Sequence, residues 1–206
     1  MTAPLAVFGF GSLMYEPEHP EALIDAIPAW WPGWRRAFNK RSHARGCDES
    51  ERRWPDLPVR PDFRTGTRVL SLALGTEPDP ARTLEARVLR YRPEAADDVL
   101  AALDAREGYD AEDPHSGYLR DRVTVRTAAG TLEAVVYRTN PHSALYVGDL
   151  PPAEAAAILL AATPSTGRRA RGVDYLVQAV ATLAEIGLHD PDLDVLLATA
   201  RAHGSF

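Results

Sequence analysis

The order of its segments constrains this chain most. Extended segments fill the first two thirds and helical ones dominate the last third, which argues an α+β fold rather than regular βαβ repeats. Residues 5–10 (LAVFGF) form a short apolar run bounded by glycine, consistent with a buried strand. Residues 69–75 and 84–91 read as strands with a turn between them. In the second, Leu84, Ala86 and Val88 take one face and Glu85, Arg87 and Leu89 the other. Residues 118–127 and 131–139 flank Ala-Ala-Gly and read as a hairpin. Residues 19–27 (HPEALIDAI) suggest a short helix stopped by Pro28, and residues 34–38 a strand. Residues 93–107 read as a helix, with Pro93 in its first turn and Gly108 as its stop. Three helices, over 151–163, 173–187 and 191–204, close the chain. Residues 47–66 carry three prolines and many charges without a period, so they read as a long surface loop. With no internal repeat and no linker, residues 1–206 are expected to form a single domain.

Composition narrows the function classes. A hydrophobic share of 45% and a charged share of 25% fit a soluble globular protein. The net charge of −6 argues against a general nucleic-acid binder. The longest apolar runs are too short to span a membrane, and the N-terminus lacks the pattern of a secretory signal. Cys47 is the only cysteine, which excludes an internal disulfide and fits a cytoplasmic location. It lies in a charged stretch, without the base a nucleophile needs. Lys40 is the only lysine; arginine supplies every other basic side chain.

Several familiar motifs fail. Gly9-Phe10-Gly11 opens like a dinucleotide fingerprint, but position 14 is methionine. Ser12 is not in a Gly-x-Ser-x-Gly elbow. The six histidines are scattered, none paired at helical spacing with another, so no metal site is expected.

Three segments together resemble the ChaC-type γ-glutamylcyclotransferases. VFGFGSLMY (7–15) is similar to that family's Tyr-Gly-Ser-Leu stretch after its first strand. RRAFNKRSHARG (35–46) is similar to its Arg-Arg-aromatic segment closing on Arg-Gly. LDAREGYD (103–110) is similar to its Leu-Asp-x-Arg-Glu followed by Gly-Tyr. Further on, LEAVVYRTNP, then YVGDLPP and two closing helices, follow the family's order, so the resemblance runs over almost the whole chain. It implies a small mixed β-barrel of about six strands surrounded by helices. It implies an enzyme of the lyase class that needs no cofactor and acts on a small-molecule γ-glutamyl substrate, releasing 5-oxoproline. ChaC-type members act on glutathione. Phe10 stands where the family has its loop tyrosine, so here that loop works through its backbone.

The reaction is an internal aminolysis, which fits the failure of the nucleophile motifs. It needs a folded substrate, a proton carrier and fixed donors for an oxyanion. Glu107 is the candidate carrier. A carboxylate in the last turn of a helix is opposed by the helix dipole, which pushes its pKa up toward that of a useful base. Phe10, Gly11, Ser12 and Leu13 are the candidate substrate-binding loop. Gly11 lets the backbone come close or take positive φ. The resemblance adds Tyr146 as a substrate contact. Tyr109 either packs below the site or contributes to it; Arg36 is expected to pair with surface acids, and Arg45 is open between that role and substrate binding. Three other readings remain: a cyclotransferase acting on γ-glutamyl-amines, a non-catalytic binding module of the same fold, and an interaction protein using the basic segment 34–45.

Overall fold

A computed structural model describes residues 3–42, 69–75, 77–161 and 172–204. The expected loop at 47–66, with Cys47, and Arg45 beside it lie outside the described residues. In chain order the elements are β1 (Leu5–Gly9), β2 (Leu23–Pro32), β3 (Arg36–Ser42), β4 (Val69–Leu74) and β5 (Thr83–Tyr91). Then follow α1 (Ala96–Glu107), β6 (Tyr118–Thr127), β7 (Gly130–Thr139), α2 (Pro152–Ala161), α3 (Gly172–Glu185) and α4 (Pro191–His203). The expected α+β fold with a mixed barrel is present. Five strands close the barrel in the order β1-β5-β2-β6-β7, and β3 and β4 pair as a separate sheet. The antiparallel run is completed by a parallel contact at Val7 and Val135.

The barrel explains why β1 is apolar throughout. All five of its residues are buried. Ala6 and Phe8 pack with Leu84, Ala86, Val88, Val125 and Val136. Leu5 and Val7 pack on the other face with Leu89, Tyr91, Val135 and the α1 residues Val99 and Leu103. A strand covered on both faces reads as a continuous hydrophobic run. Beyond Gly9 the chain folds back so closely that a Cβ there would lie 3.0 Å from Leu13 Cβ.

The helix expected over 19–27 is not formed. A 3-10 turn at Pro20–Ala22 leads directly into β2, and Pro28 sits inside that strand opposite Arg87. Proline is tolerated where a strand has an open edge. β2 meets β6 only at Ala29 and Trp30, so its first half is paired on one side alone. Long pairing with β5 outweighs the local helical pattern.

The three closing helices form their own core, built on Leu159, Leu176, Leu183, Leu193 and Leu197, and joined by Met14 and Phe38. Asp190 caps α4, accepting hydrogen bonds from the Asp192 and Leu193 N–H groups at 3.0 and 3.2 Å, with Pro191 in the first turn. No helix among the described residues is long and apolar enough to cross a membrane.

Candidate functional site

Helix α1 stops where the sequence places its stop. Gly108 takes the left-handed conformation, φ 64° and ψ 43°, and its N–H closes on the Asp104 carbonyl. Glu107 is therefore the last residue of the helix. Its backbone is fixed from outside by Gly117, whose N–H donates to the Gly108 carbonyl at 2.8 Å. A Cβ on Gly117 would lie 2.8 Å from the Glu107 carbonyl oxygen, so only glycine admits this approach.

The exit of β1 meets this helix end. Phe10, Gly11, Ser12 and Leu13 share a recess with Glu107, and Tyr118, Tyr137 and Tyr175 complete its walls with Phe8. The recess is narrow and opens to solvent. Arg106 ties the two parts together. Its guanidinium donates to Ser12 Oγ at 2.8 Å, to Glu18 Oε1 at 2.7 Å and to the Glu16 carbonyl at 2.9 Å. Ser12 is thus a scaffold residue whose hydroxyl accepts from Arg106.

Arg36 is not the surface residue the sequence suggested. It is 1% exposed and donates to four groups. Nε reaches the Phe10 carbonyl at 2.8 Å, Nη1 reaches Asp190 Oδ2 at 2.7 Å, and Nη2 contacts Met14 Sδ and the Glu85 carbonyl. Of the RRAF segment, Arg36 and Phe38 on β3 are buried, Phe38 in the core of the closing helices, while Arg35 pairs with Asp149 nearer the surface. Burial lowers the guanidinium's pKa from its ordinary value, and the Asp190 carboxylate opposes that shift. A trans peptide sends its C=O and N–H in opposite directions, and all peptides described here are trans. With the Phe10 carbonyl held by Arg36, the Gly11 N–H points away from Arg36. Gly11 takes φ −114°, so the positive-φ alternative is not used. Among the described residues no backbone carbonyl accepts from the N–H of Gly11, Ser12 or Leu13.

The tyrosine walls were missed from the sequence. The hairpin register could have found two of them. It sets Tyr118 opposite Thr139 and Tyr137 opposite Arg120, which places both rings on one face at the open end of the hairpin. The Tyr137 hydroxyl donates to Asp104 Oδ1 at 2.6 Å, and Arg120 donates to Asp104 Oδ2 at 2.5 Å. Burial, then that bond to Asp104, raises the Tyr137 pKa, so this ring is a neutral wall. Tyr109 packs edge-on against Tyr137, 6.4 Å between centroids, beneath the Arg120 guanidinium. Tyr175 comes from α3 and meets Phe38 edge-on at 5.9 Å.

Tyr146 is not among the residues lining the recess. It is half-buried, and its backbone bridges to Lys40 at the edge of β3. The turn after it is pinned there by the Val147 N–H to the Asn39 carbonyl and by Asn39 Nδ2 to Asp149 Oδ1. Lys40 itself is buried, with Nζ 3.7 Å from the centroid of the Tyr118 ring. Burial pulls its pKa down to about 8, against the attraction of the Glu107 carboxylate.

The recess thus combines one carboxylate, three backbone donors on a glycine-led turn and a wall of aromatic rings. Such a set can hold a small polar group, exchange a proton with it and stabilise a developing oxyanion. No group of three or more histidine, cysteine or acidic side chains that could hold a metal ion occurs among the described residues.

The sequence profile of the ChaC-like protein family matches residues 5–203. No curated protein matches the chain. Among solved structures, a crystal structure of a selenomethionine-labelled, glutathione-specific γ-glutamyl cyclotransferase from yeast is similar at TM-score 0.73 and 20% identity, covering 100% of both chains. A second structure from yeast, also described as specific to glutathione, gives TM-score 0.69 at 20% identity, over 98% of this chain and 99% of that one. YkqA from Bacillus subtilis gives 0.54 at 13% identity, over 98% of this chain and 55% of the other. At these identities the likenesses establish the fold.

Proposed function

The chain belongs to the ChaC-like protein family, and from that membership we propose that it is a γ-glutamylcyclotransferase. It releases 5-oxoproline from glutathione or a related γ-glutamyl peptide. Glutathione enters as a substrate because the yeast proteins of the same fold are described as specific to it. The observation that carries the reading is the meeting of Glu107 with the backbone of Gly11–Leu13 in one recess, although they lie far apart in sequence.

The chemistry follows from that meeting. The γ-glutamyl arm folds into the recess, which supplies the positional advantage of an internal reaction. Glu107 takes a proton from the substrate's α-ammonium. The freed amine attacks the γ-carbonyl carbon, forming the lactam C–N bond and a tetrahedral oxyanion. The N–H groups of Gly11, Ser12 and Leu13 donate to that oxyanion or to the α-carboxylate. As the C–N bond to the leaving amine breaks, Glu107 returns the proton to the departing nitrogen; the lactam nitrogen then sheds its second proton, by way of the freed Glu107 carboxylate, to the same amine, which leaves as an ammonium. Protons balance, and the sequence of steps calls for no cofactor. Phe10 contributes its carbonyl, held by Arg36, and an apolar wall. Tyr146 is assigned to the far end of the substrate, outside the reacting centre. We place the reaction in the cytoplasm and in a single domain.

The test is a panel of γ-glutamyl dipeptides, γ-glutamyl-amines and glutathione, with 5-oxoproline measured directly. Release from glutathione or a peptide is expected. Release from γ-glutamyl-amines alone would move the substrate class, and no release from any member would leave a binding module.

A further inference from the structure

The only lysine of an arginine-rich chain lies inside it. Lys40 sits on β3, and its ammonium is over the ring of Tyr118, a wall of the recess. The same Nζ would be 3.6 Å from a Cβ on Gly117, where the Glu107 carbonyl presses at 2.8 Å. The ammonium therefore reaches the place where the end of α1 meets the start of β6. The carboxylate whose charge acts on it is that of Glu107.

We propose that Lys40 is a positioning residue for Glu107: from behind the recess wall its ammonium holds the Glu107 carboxylate ionised and in one orientation, so that each cycle starts from a base. The inference rests on Glu107 as the proton carrier of the proposed reaction. The reasoning is electrostatic. A carboxylate at a helix C-terminus, beside aromatic rings, is disfavoured as an anion. Two cations offset that penalty: Arg106 from the helix itself, with Nε 3.7 Å from Glu107 Oε1, and Lys40 from β3. Once Glu107 has taken the substrate's proton, the same cations disfavour the neutral carboxyl and drive its proton on to the leaving amine.

Lysine suits this post better than arginine. Its ammonium is compact and can lose its proton, whereas a guanidinium stays charged. Facing Lys40 are the Glu107 carboxylate from α1 and the Tyr118 ring from β6, with Tyr146 across the backbone bridge. Support for Glu107 should therefore fade as pH passes about 8.

A single lysine makes the experiment direct. Labelling with ¹⁵N-lysine places one side-chain reporter in the protein. Its titration is followed in the wild type and in Glu107→Gln. The expected result is a midpoint near 8 in the wild type and a lower one in Glu107→Gln. An ordinary lysine midpoint, or the same midpoint in both proteins, overturns the proposal without reference to activity. The second arm is the pH profile of 5-oxoproline release. Lys40→Met should lower kcat at neutral pH by about tenfold or more, with KM little changed. Lys40→Arg keeps the charge, so it should recover part of kcat and lose the fall above pH 8. Lys40→Met with wild-type kcat and an unchanged profile would sink the idea. Should the wild type release no 5-oxoproline from any substrate, the functional reading falls, while the titration still decides the pairing.

Discussion

Strand β3 carries two buried cations, Arg36 and Lys40, and they are held in opposite ways. Arg36 is enclosed by fixed partners: the Asp190 carboxylate, the Phe10 and Glu85 carbonyls and Met14. Lys40 has an aromatic ring beneath it and one carboxylate acting on it. A guanidinium offers several donors in a rigid fork and keeps its charge, which suits a permanent clamp. An ammonium is a point charge whose proton is negotiable. The first cation therefore belongs to the architecture beneath the β1 exit, and the second acts on the carboxylate to which we assign the proton transfer. On the proposed reading, two positions of one strand serve structure and chemistry separately, and the kind of basic residue distinguishes them.

The strongest way to break that division is at Glu107. Glu107→Gln should lower 5-oxoproline release by about 10²- to 10⁴-fold, the usual worth of a positioned proton carrier, while circular dichroism and melting temperature stay close to wild type. Activity retained in Glu107→Gln would remove the chemical role from this side. The next largest effect lies on the other side. Arg36→Met leaves Asp190 with a buried charge and no guanidinium, and breaking such a pair typically costs about 3–5 kcal/mol. Urea denaturation should show that loss, and Arg36→Lys should fail to restore it, because a single ammonium cannot reach all the groups the fork holds. Full rescue by lysine would erase the distinction between the two cations.

Lys40 sharpens the comparison through pH. In the unfolded chain it binds its proton up to an ordinary value of 10.5, and in the folded protein only up to about 8. Below pH 8 both states are charged, and the folded state carries a penalty of about 3 kcal/mol for holding the proton in a buried place. Between pH 8 and 10 the unfolded state binds more protons, so stability should rise with pH. Above about pH 10.5 the Lys40 contribution levels off, since both states have lost its proton. Burial raises the pKa of Tyr91 to about 12, from an ordinary value of 10.0, so tyrosine ionisation then favours the unfolded chain. Denaturation from pH 7 to 10 should show the rise in the wild type and a flatter line in Lys40→Met. Parallel lines for the two proteins would mean that Lys40 titrates normally.

Much of this was legible in the sequence where local patterns decide. The apolar β1, the 118–139 hairpin, the Gly108 stop and the α+β order are all set by neighbours in the chain. So was the place of Glu107 in the last turn of α1; its choice as proton carrier draws on the family resemblance as well. Residues fixed by distant pairing were not legible. β2 contains Pro28 and resembles a helix until β5 is laid beside it. Arg36 looks like a surface charge until α4 supplies Asp190. Tyr175 arrives from a helix late in the chain, and Tyr146 stays at the β3 edge beside the recess rather than in it. Lys40 stands out in the sequence as the single lysine, but its burial over the Tyr118 ring is set by distant packing.

The smallest expected effects come from the two glycines that frame Glu107, and they separate backbone conformation from space. At Gly108 a Cβ meets nothing within 4 Å, and the cost is the left-handed φ of 64° alone. Gly108→Ala should therefore destabilise by about 1 kcal/mol and leave kcat nearly unchanged, since the helix end need not move. At Gly117 the φ is not positive, but the Cβ lies 2.8 Å from the Glu107 carbonyl. Gly117→Ala must push that backbone aside, so it should lower kcat more than its stability loss of about 1–3 kcal/mol would suggest. Arg36 touches neither glycine, and the clamp under the β1 exit should be unaffected in both variants. If Gly108→Ala damages kcat as much as Gly117→Ala does, the carboxylate is not held by the approach of β6. The ion pair with Arg106 and the charge of Lys40 would then have to carry its orientation.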